Sequence, residues 1–201
     1  FFRAMDETPA KYDGKGGVTT HPQLKKIIKE VAEAGWIGGA AKFEHGGMQM
    51  PMMIFNAGQH IFQSANNGSQ GYFSLSAGSA ALITSFGNEE QIKTYVPPIF
   101  EGRWQGTMAL TEPQAGSSLT DITTSASPVG NGRYKIKGQK IFISGGQHDA
   151  CENFVHLTLA RIDGAPAGTK GISLFIIPKF LPQPDGSLKP NDAVCVGDFQ
   201  K

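Results

Sequence analysis

Apolar residues recur at helical spacing in the first half of the chain. Leu24, Ile27, Ile28 and Val31 stand at i, i+3, i+4 and i+7, which places them on one face of a helix. This pattern predicts an amphipathic helix over residues 19–36. Two further helices are predicted over residues 51–65 and 70–86. The last of them is rich in small residues, which allows a neighbouring helix or a ligand to approach closely.

Local signals mark where two of the helices begin and end. Thr20 and Gln23 have the spacing of a capping box, so they are predicted to start the first helix. Asn88 and Gln91 have the same spacing and are predicted to start a fourth helix. The Pro97–Pro98 pair is predicted to end that helix, because proline has no amide hydrogen to donate.

The apolar pattern changes to alternation in the second half of the chain. Tyr134 and Ile136 alternate with two lysines, which is typical of a strand with one buried face. The preceding segment 130–132, Gly-Asn-Gly, predicts a hairpin turn. Further strands are predicted over residues 154–160, 171–177 and 194–199.

Helices followed by strands indicate an α+β protein. We predict an N-terminal all-α helical domain over residues 1–103 and an antiparallel, β-barrel-like domain over residues 104–201. At 201 residues the chain is long enough for one large domain or two small ones, each with a core of its own.

Composition and charge narrow the classes of function. Hydrophobic residues make up 39% of the chain and charged residues 17%, as in a soluble globular protein. The formal net charge is +1 and no long run of one sign occurs, so no nucleic-acid partner is expected. No membrane partner is expected either, because no stretch approaches the roughly 20 apolar residues of a transmembrane helix. Cys151 and Cys195 form no paired motif and indicate free thiols in a reducing, cytoplasmic location.

Several common catalytic and binding motifs do not occur in the sequence. It has no Gly-x-Gly-x-x-Gly fingerprint, no Walker loop and no Gly-x-Ser-x-Gly elbow. Its five histidines lack the spacing of metal ligands, so no metal site is predicted. His148 and Asp149 are adjacent, and a loop-capping role is favoured over a catalytic relay because no nucleophile stands in a partner motif.

Two segments carry the strongest chemical signal. Residues 108–118 read Met-Ala-Leu-Thr-Glu-Pro-Gln-Ala-Gly-Ser-Ser, and residues 138–146 read Gly-Gln-Lys-Ile-Phe-Ile-Ser-Gly-Gly. We interpret them as two strands that present amides and hydroxyls to one cleft. Fixed donors of this kind suit a flat, polar ring system, which they can meet at little cost in entropy.

Together the two segments resemble the flavin-binding signature of the acyl-CoA dehydrogenase family. The family motif is Thr-Glu-Pro-x-Ala-Gly-Ser-Asp, and this sequence departs from it only at Ser118, where the family usually has Asp. The resemblance extends upstream through Glu44-His45-Gly46-Gly47 and the helix start at residues 87–91. The lead-in at residues 12–17 and the turn at 144–149 are similar to the longer branch of the family, which includes 3-(methylthio)propanoyl-CoA dehydrogenases.

The resemblance implies an FAD cofactor and a set of residues that would contact it. On this basis Thr111 would bond the pyrimidine edge of the flavin, and Ser117 would lie where flavin and substrate meet and would also bind substrate. Phe142 and Ser144 would stand where the family usually has Trp and Thr, near the reactive nitrogen N5. The expected cofactor-binding residues are Met108, Ala109, Leu110, Thr111, Gly116, Ser117, Phe142, Ile143 and Ser144.

The resemblance also implies the reaction, in which the α,β bond of an acyl-CoA thioester is oxidised to the 2-enoyl-CoA. In the family a glutamate in a later, C-terminal helical domain removes the α-proton, and that domain is absent from these 201 residues. No catalytic residue is therefore named, and Glu112 is expected to be structural. We expect residues 1–201 alone to turn over no acyl-CoA, and the truncated sheet to leave an unpaired strand edge.

Partners and alternatives follow from the same resemblance. An electron-transfer flavoprotein is the expected electron acceptor, and the full-length protein is expected to be a homo-oligomer, located in the mitochondrial matrix if the source is eukaryotic. Three alternatives stay open: an acyl-CoA oxidase, a flavin-binding relative without dehydrogenase activity, and a helical-plus-β module without a cofactor.

Overall fold

A computed structural model of the chain describes residues 2–191; the strand predicted over residues 194–199 and Cys195 lie outside this range. The α-helices are α1 (Phe2–Glu7), α2 (Pro22–Glu33), α3 (Met52–Phe86) and α4 (Glu89–Phe100). The strands are β1 (Lys11–Tyr12), β2 (Val18–Thr19), β3 (Trp104–Ala109), β4 (Ser125–Gly130), β5 (Arg133–Lys137), β6 (Asn153–Ile162), β7 (Ile172–Pro178), β8 (Phe180–Pro182) and β9 (Leu188–Pro190). Short 3-10 helices lie at Phe43–His45, Leu119–Asp121 and Thr169–Gly171. Helices followed by a sheet confirm the predicted α+β class.

Helix α2 begins at Pro22, and its cap is not the predicted one. The N-cap is His21, whose Nδ1 accepts a hydrogen bond from the amide of Gln23 at 3.2 Å. Thr20 is engaged elsewhere, because its amide and hydroxyl both donate to Oδ1 of Asp149, at 2.8 and 2.7 Å. The capping-box prediction was therefore wrong, since a partner 129 residues away takes the Thr20 side chain.

Helix α3 contains the two predicted helices of residues 51–65 and 70–86. They are separated by a kink at Asn66, whose φ of −161° and ψ of 103° are not helical. The Oδ1 atom of Asn66 accepts a hydrogen bond from the amide of Ser69 at 2.6 Å, so the second segment starts with a side-chain cap. Both predicted helices are confirmed.

Helix α4 shows the predicted start but not the predicted end. Asn88 and Gln91 form the capping box, with hydrogen bonds of 2.8 and 2.9 Å. The helix nevertheless continues through Pro97 and Pro98 to its last residue. Both prolines lie in the final turn, and the burial of Pro98 and Ile99 offsets the two hydrogen bonds that the prolines cannot make.

Strand β6 is the centre of a five-stranded sheet. Strand β7 pairs with one edge of β6 in antiparallel orientation, whereas β3 and β4 pair with the other edge in parallel orientation. The prediction of an antiparallel barrel was therefore wrong for β3 and β4, and the pairing among residues 2–191 leaves the sheet open. The reason lies in the chain path, because the 43 residues between β3 and β6 are enough for the crossover that parallel strands need.

The β4–β5 hairpin confirms the predicted turn. Gly130, Asn131 and Gly132 all have positive φ, at 94°, 51° and 69°. This backbone conformation favours glycine and asparagine, so the sequence of the turn fixes its geometry.

Helices and sheet share one hydrophobic core. Ile83 of α3, Val96 of α4 and Leu157 of β6 belong to the same buried cluster. The backbones of α3 and β3 come close together, since a Cβ added at Gly106 would lie 2.5 Å from Cβ of Ser79. Within residues 2–191, no helix combines the length and apolarity needed to cross a membrane.

Candidate functional site

The Thr-Glu-Pro segment forms a tight turn directly after β3. Glu112 and Ala115 exchange two backbone hydrogen bonds, of 2.7 and 3.1 Å. Gly116 follows, and a Cβ at this position would lie 3.4 Å from Cγ2 of Thr111. The turn therefore folds the Gly116-Ser117 dipeptide back towards Thr111, which is half-buried, while Ser117 is exposed.

The carboxylate of Glu112 is buried in the centre of this turn. Its side chain is 1% exposed and forms an ion pair with Lys140, at 2.8 Å. Oε2 accepts hydrogen bonds from Nε2 of Gln114 at 2.7 Å and from the amide and hydroxyl of Thr123 at 2.7 and 2.9 Å. Oε1 accepts a further one from the amide of Thr124, at 3.1 Å. Five donors thus surround one carboxylate.

These contacts control the ionisation of Glu112. Burial alone would raise the pKa of Glu112, but the hydrogen bonds from Lys140 and from the Thr123 and Thr124 amides outweigh burial and hold this pKa well below its ordinary value. A carboxylate that is closed off from solvent and permanently ionised is poorly suited to take up a proton. The geometry gives Glu112 a structural part in the turn.

The second motif segment lies beside the first, although it is not the predicted strand. Residues 138–143 are irregular, and the amide of Ile141 donates to the carbonyl of Thr111 at 2.9 Å. Gly138 is packed against Thr124, since an added Cβ would lie 2.2 Å from Oγ1 of that residue. Phe142 then turns the backbone out of the extended region with a φ of 57°. A strand cannot continue through Phe142 with this φ, so the strand predicted over residues 138–146 is not formed.

Phe142 combines two unusual features. The residue is 72% exposed, and its positive φ is uncommon for a bulky residue, with a cost of roughly 1–3 kcal/mol. Ile143 is half-buried and Ser144 is exposed, and the amide of Gly146 donates to the carbonyl of Ile143 at 3.3 Å. Residues with strained backbone conformations cluster at ligand-binding and active sites, so the φ of Phe142 makes this segment a candidate binding site.

The remaining predicted site residues lie at the end of β3. Met108 is half-buried and Ala109 is buried in the strand, and Leu110 follows it. The carbonyl of Leu110 accepts a hydrogen bond from Nζ of Lys140 at 3.1 Å. No role is assigned to Lys140 on the basis of the sequence. Its ion pair could have been predicted from the presence of a glutamate in one motif and a lysine in the other.

The loop that follows the second segment links the sheet to the helices. Nδ1 of His148 accepts a hydrogen bond from the amide of Ala150 at 3.2 Å, as the predicted loop-capping role requires. The His148 ring packs edge-on against Tyr72 of α3 and Phe154 of β6, at centroid distances of 5.0 and 4.9 Å. Since Asp149 accepts the two hydrogen bonds from Thr20, the loop joins both parts of the protein.

Burial keeps two histidines of this region neutral. Burial lowers the pKa of His148 to about 4, against an opposing contribution of Asp149 and with a small further lowering by Lys179. Burial, followed by Lys179, also lowers the pKa of His156 to about 4. The Nδ1 atom of His156 lies 2.7 Å from Oγ1 of Thr107.

The free energy of unfolding is therefore expected to fall as the pH is lowered from 6.5 towards 4. Above pH 6.5 the histidines are neutral in both states; below it, the unfolded chain takes up protons that the folded chain refuses. Between about pH 7.5 and about pH 5 the loss amounts to about 2 kcal/mol for His148 alone. Urea unfolding at about pH 7.5 and about pH 5 measures it. A His148→Gln variant should show a smaller pH dependence, whereas the exposed-site control His60→Gln should match the unmodified protein; equal slopes in all three would contradict the prediction.

Neither a reactive thiol nor a metal site is found among the described residues of this region. Burial raises the pKa of the Cys151 thiol to about 12, so this thiol stays protonated at neutral pH. In the part of the chain that the structure describes, no three His, Cys, Asp or Glu side chains are grouped closely enough to hold a metal ion.

Both halves of the chain match domains of one protein family. Residues 4–103 match the family described as "Acyl-CoA dehydrogenase, N-terminal domain", and residues 107–193 match "Acyl-CoA dehydrogenase, middle domain". The 3-methylmercaptopropionyl-CoA dehydrogenase of Ruegeria pomeroyi is 38% identical over 182 residues, which cover 90% of this chain and 31% of that protein. The chain thus spans about a third of the length of the curated relatives it matches, with shares of 31%, 32% and 29%.

Solved structures that include an acyl-CoA dehydrogenase have the same fold as this chain. An acyl-CoA dehydrogenase of Bacillus anthracis, solved in complex with FAD, has a TM-score of 0.66 and 29% identity, covering 80% of this chain and 27% of that one. A chain from a structure named as an electron transferring flavoprotein of Acidaminococcus fermentans has a TM-score of 0.66 and 31% identity, covering 79% of this chain and 40% of that one. Since one family accounts for both halves of the sequence and for the fold, the chain belongs to the acyl-CoA dehydrogenase family.

Proposed function

We propose that this chain is the flavin-binding part of an FAD-dependent acyl-CoA dehydrogenase, which oxidises the α,β bond of an acyl-CoA thioester to the 2-enoyl-CoA. One observation carries the proposal: the amide of Ile141 donates a hydrogen bond to the carbonyl of Thr111 at 2.9 Å, so the two motif segments lie side by side. The family membership supports it, as do the names of the relatives, which are dehydrogenases of acyl-CoA thioesters.

The residues of these two segments fit a flavin ring. Phe142 offers an exposed aromatic face, and its strained backbone holds that face away from the core. Thr111, Ser117 and Ser144 offer hydroxyl groups that can bond the polar edge of the ring. The redox chemistry would come from bound FAD, because no amino-acid side chain accepts a hydride. The Bacillus anthracis relative was solved in complex with this cofactor.

Each predicted residue has a part in this proposal. Met108, Ala109 and Leu110 at the end of β3 would form the floor under the ring, and Gly116 lets the backbone approach it without a side chain. Ser117, exposed at the tip of the turn, would contact both flavin and the acyl-CoA substrate. Ile143, half-buried beside Phe142, would hold the wall of the site in place.

The proton-transfer step has no assigned residue in this chain. Glu112 lies inside the site but is buried, ionised and bonded to five donors, so it can neither reach a substrate nor change its protonation readily. In our proposal the chain binds and orients flavin and substrate, and no described residue is assigned as the base that removes the α-proton.

The proposal extends to a substrate branch and to partners. The 38% identity to a 3-methylmercaptopropionyl-CoA dehydrogenase supports the longer branch of the family. An electron-transfer flavoprotein would accept the electrons, and the similarity to a chain from the Acidaminococcus fermentans flavoprotein structure is compatible with that partner. The full-length protein would act as a homo-oligomer.

Titration of the purified protein with FAD tests the proposal. We expect the yellow absorbance of oxidised flavin to remain with the protein after gel filtration. Phe142→Ala should weaken FAD binding by about tenfold, or roughly 1.4 kcal/mol, because it removes the aromatic wall. Phe43→Ala is the matched control, since Phe43 is 69% exposed but lies in the helical part. A protein that binds no FAD, or equal affinities of the two variants, would contradict the proposal.

A further inference from the structure

We infer that Glu112 and Lys140 are positioning residues, a buried ion pair that sets the spacing between the two flavin-binding segments. The inference rests on the proposed function, because it concerns the same two segments.

Lys140 belongs to the second segment, and both of its acceptors belong to the first. Its Nζ atom lies 2.8 Å from Oε1 of Glu112 and 3.1 Å from the carbonyl oxygen of Leu110. The Lys140 side chain is only 10% exposed. The neighbouring amide of Ile141 adds the bond to Thr111 at 2.9 Å. Two consecutive residues of one segment are thus fixed to three consecutive residues of the other.

Glu112 joins a third stretch of chain to the pair. Its remaining bonds come from Gln114 within the turn and from Thr123 and Thr124 immediately before β4. Among the ion pairs of residues 2–191, Lys140 is the cation that faces Glu112. A buried charge is costly unless it is paired, so the arrangement is stable only when both segments are in place.

The type of interaction also bears on its role. Buried ion pairs often contribute little to stability compared with apolar residues of the same volume, but their hydrogen bonds are directional. The five hydrogen bonds to Glu112 restrict the turn to a narrow range of positions. Because Lys140 is bonded to Glu112, the position of the turn also restricts the position of Phe142, two residues further along the chain. The flavin surface would otherwise depend on an irregular segment with a strained residue at its end.

The test compares Lys140→Met and Glu112→Gln with the double variant and with Lys137→Met. Lys137 is exposed on β5, so its replacement removes the same charge without touching the pair. For each protein we would measure the FAD dissociation constant, the visible circular dichroism of bound flavin, and urea unfolding. We expect each single variant to weaken FAD binding by about tenfold or more and to alter the flavin dichroism, by analogy with the residues that orient metal ligands. The double variant should lose no more FAD affinity than the single variant that binds FAD more weakly, because each change removes the same interaction.

The outcomes separate this inference from the proposed function. If the unmodified protein binds no FAD, both fail. If it binds FAD and both single variants bind it equally well with unchanged dichroism, the inference alone fails. Should Lys140→Met not fold, Glu112→Gln, which keeps the shape of the carboxylate, decides the question. Loss of folding in both would assign the pair to stability and overturn the positioning role.

Discussion

Replacing Gly106 with alanine is expected to destabilise the protein by about 3 kcal/mol, the upper end of what overpacking of a core usually costs. Gly106 lies in β3, where an added Cβ would be 2.5 Å from Cβ of Ser79 and 3.1 Å from Cα of Ser76. The second atom belongs to the backbone of α3, so no rotamer change can relieve the contact. The strand and the helix would have to separate, and the hydrogen bond from the Gly106 amide to Oγ of Ser76, 3.1 Å long, would be lost.

Urea unfolding at neutral pH measures this effect. Gly78→Ala is the matched control, because Gly78 lies in α3, the helix that Gly106 packs against, and nothing lies within 4 Å of a Cβ added there. The control should be neutral or more stable by up to about 1 kcal/mol, since alanine favours a helix over glycine. Equal unfolding free energies for Gly106→Ala and Gly78→Ala would show that α3 and β3 are not in contact at this point.

Replacing Gly138 with alanine is expected to weaken FAD binding by about tenfold or more, with a loss of stability of about 1–3 kcal/mol. An added Cβ would lie 2.2 Å from Oγ1 and 2.7 Å from Cβ of Thr124, a buried and stiff side chain. The second motif segment would have to move away from Thr124. That movement would draw Lys140, two residues further on, away from Glu112 and would displace Phe142.

A second-site change makes this prediction specific. Thr124→Gly removes the three atoms nearest to the new methyl group, so the double variant should regain part of the lost FAD affinity. Gly78→Ala should bind FAD like the unmodified protein. The explanation would be wrong if the Gly138→Ala variant kept its affinity, or if Thr124→Gly brought no recovery.

The predictions that were confirmed depend on residues close together in the sequence, and those that were wrong depend on residues far apart. The Asn88–Gln91 capping box and the hairpin at residues 130–132 depend on residues at most three positions apart, and the structure shows both. The Thr20 cap was wrong because Asp149, far along the chain, takes the hydroxyl. The antiparallel arrangement was wrong because the orientation of β3 depends on its pairing with β6.

The candidate site shows the same division. The two motifs could be recognised in the sequence because they resemble a family pattern, whereas the cofactor-binding roles of Thr111, Ser117, Phe142 and Ser144 stay predictions. The hydrogen bond from Ile141 to Thr111 could not be predicted, since it joins residues 30 positions apart in an irregular segment.

The amino-acid order alone determined the helical faces, the Asn88 cap, the hairpin and the family to which the chain belongs, since all of these are written in short stretches of residues. The tertiary structure alone decided the parallel pairing around β6, the positive φ of Phe142 and the burial of Glu112 against Lys140. For the sheet and for Glu112 the physical reason is that buried polar groups need partners, and here those partners come from distant parts of the chain.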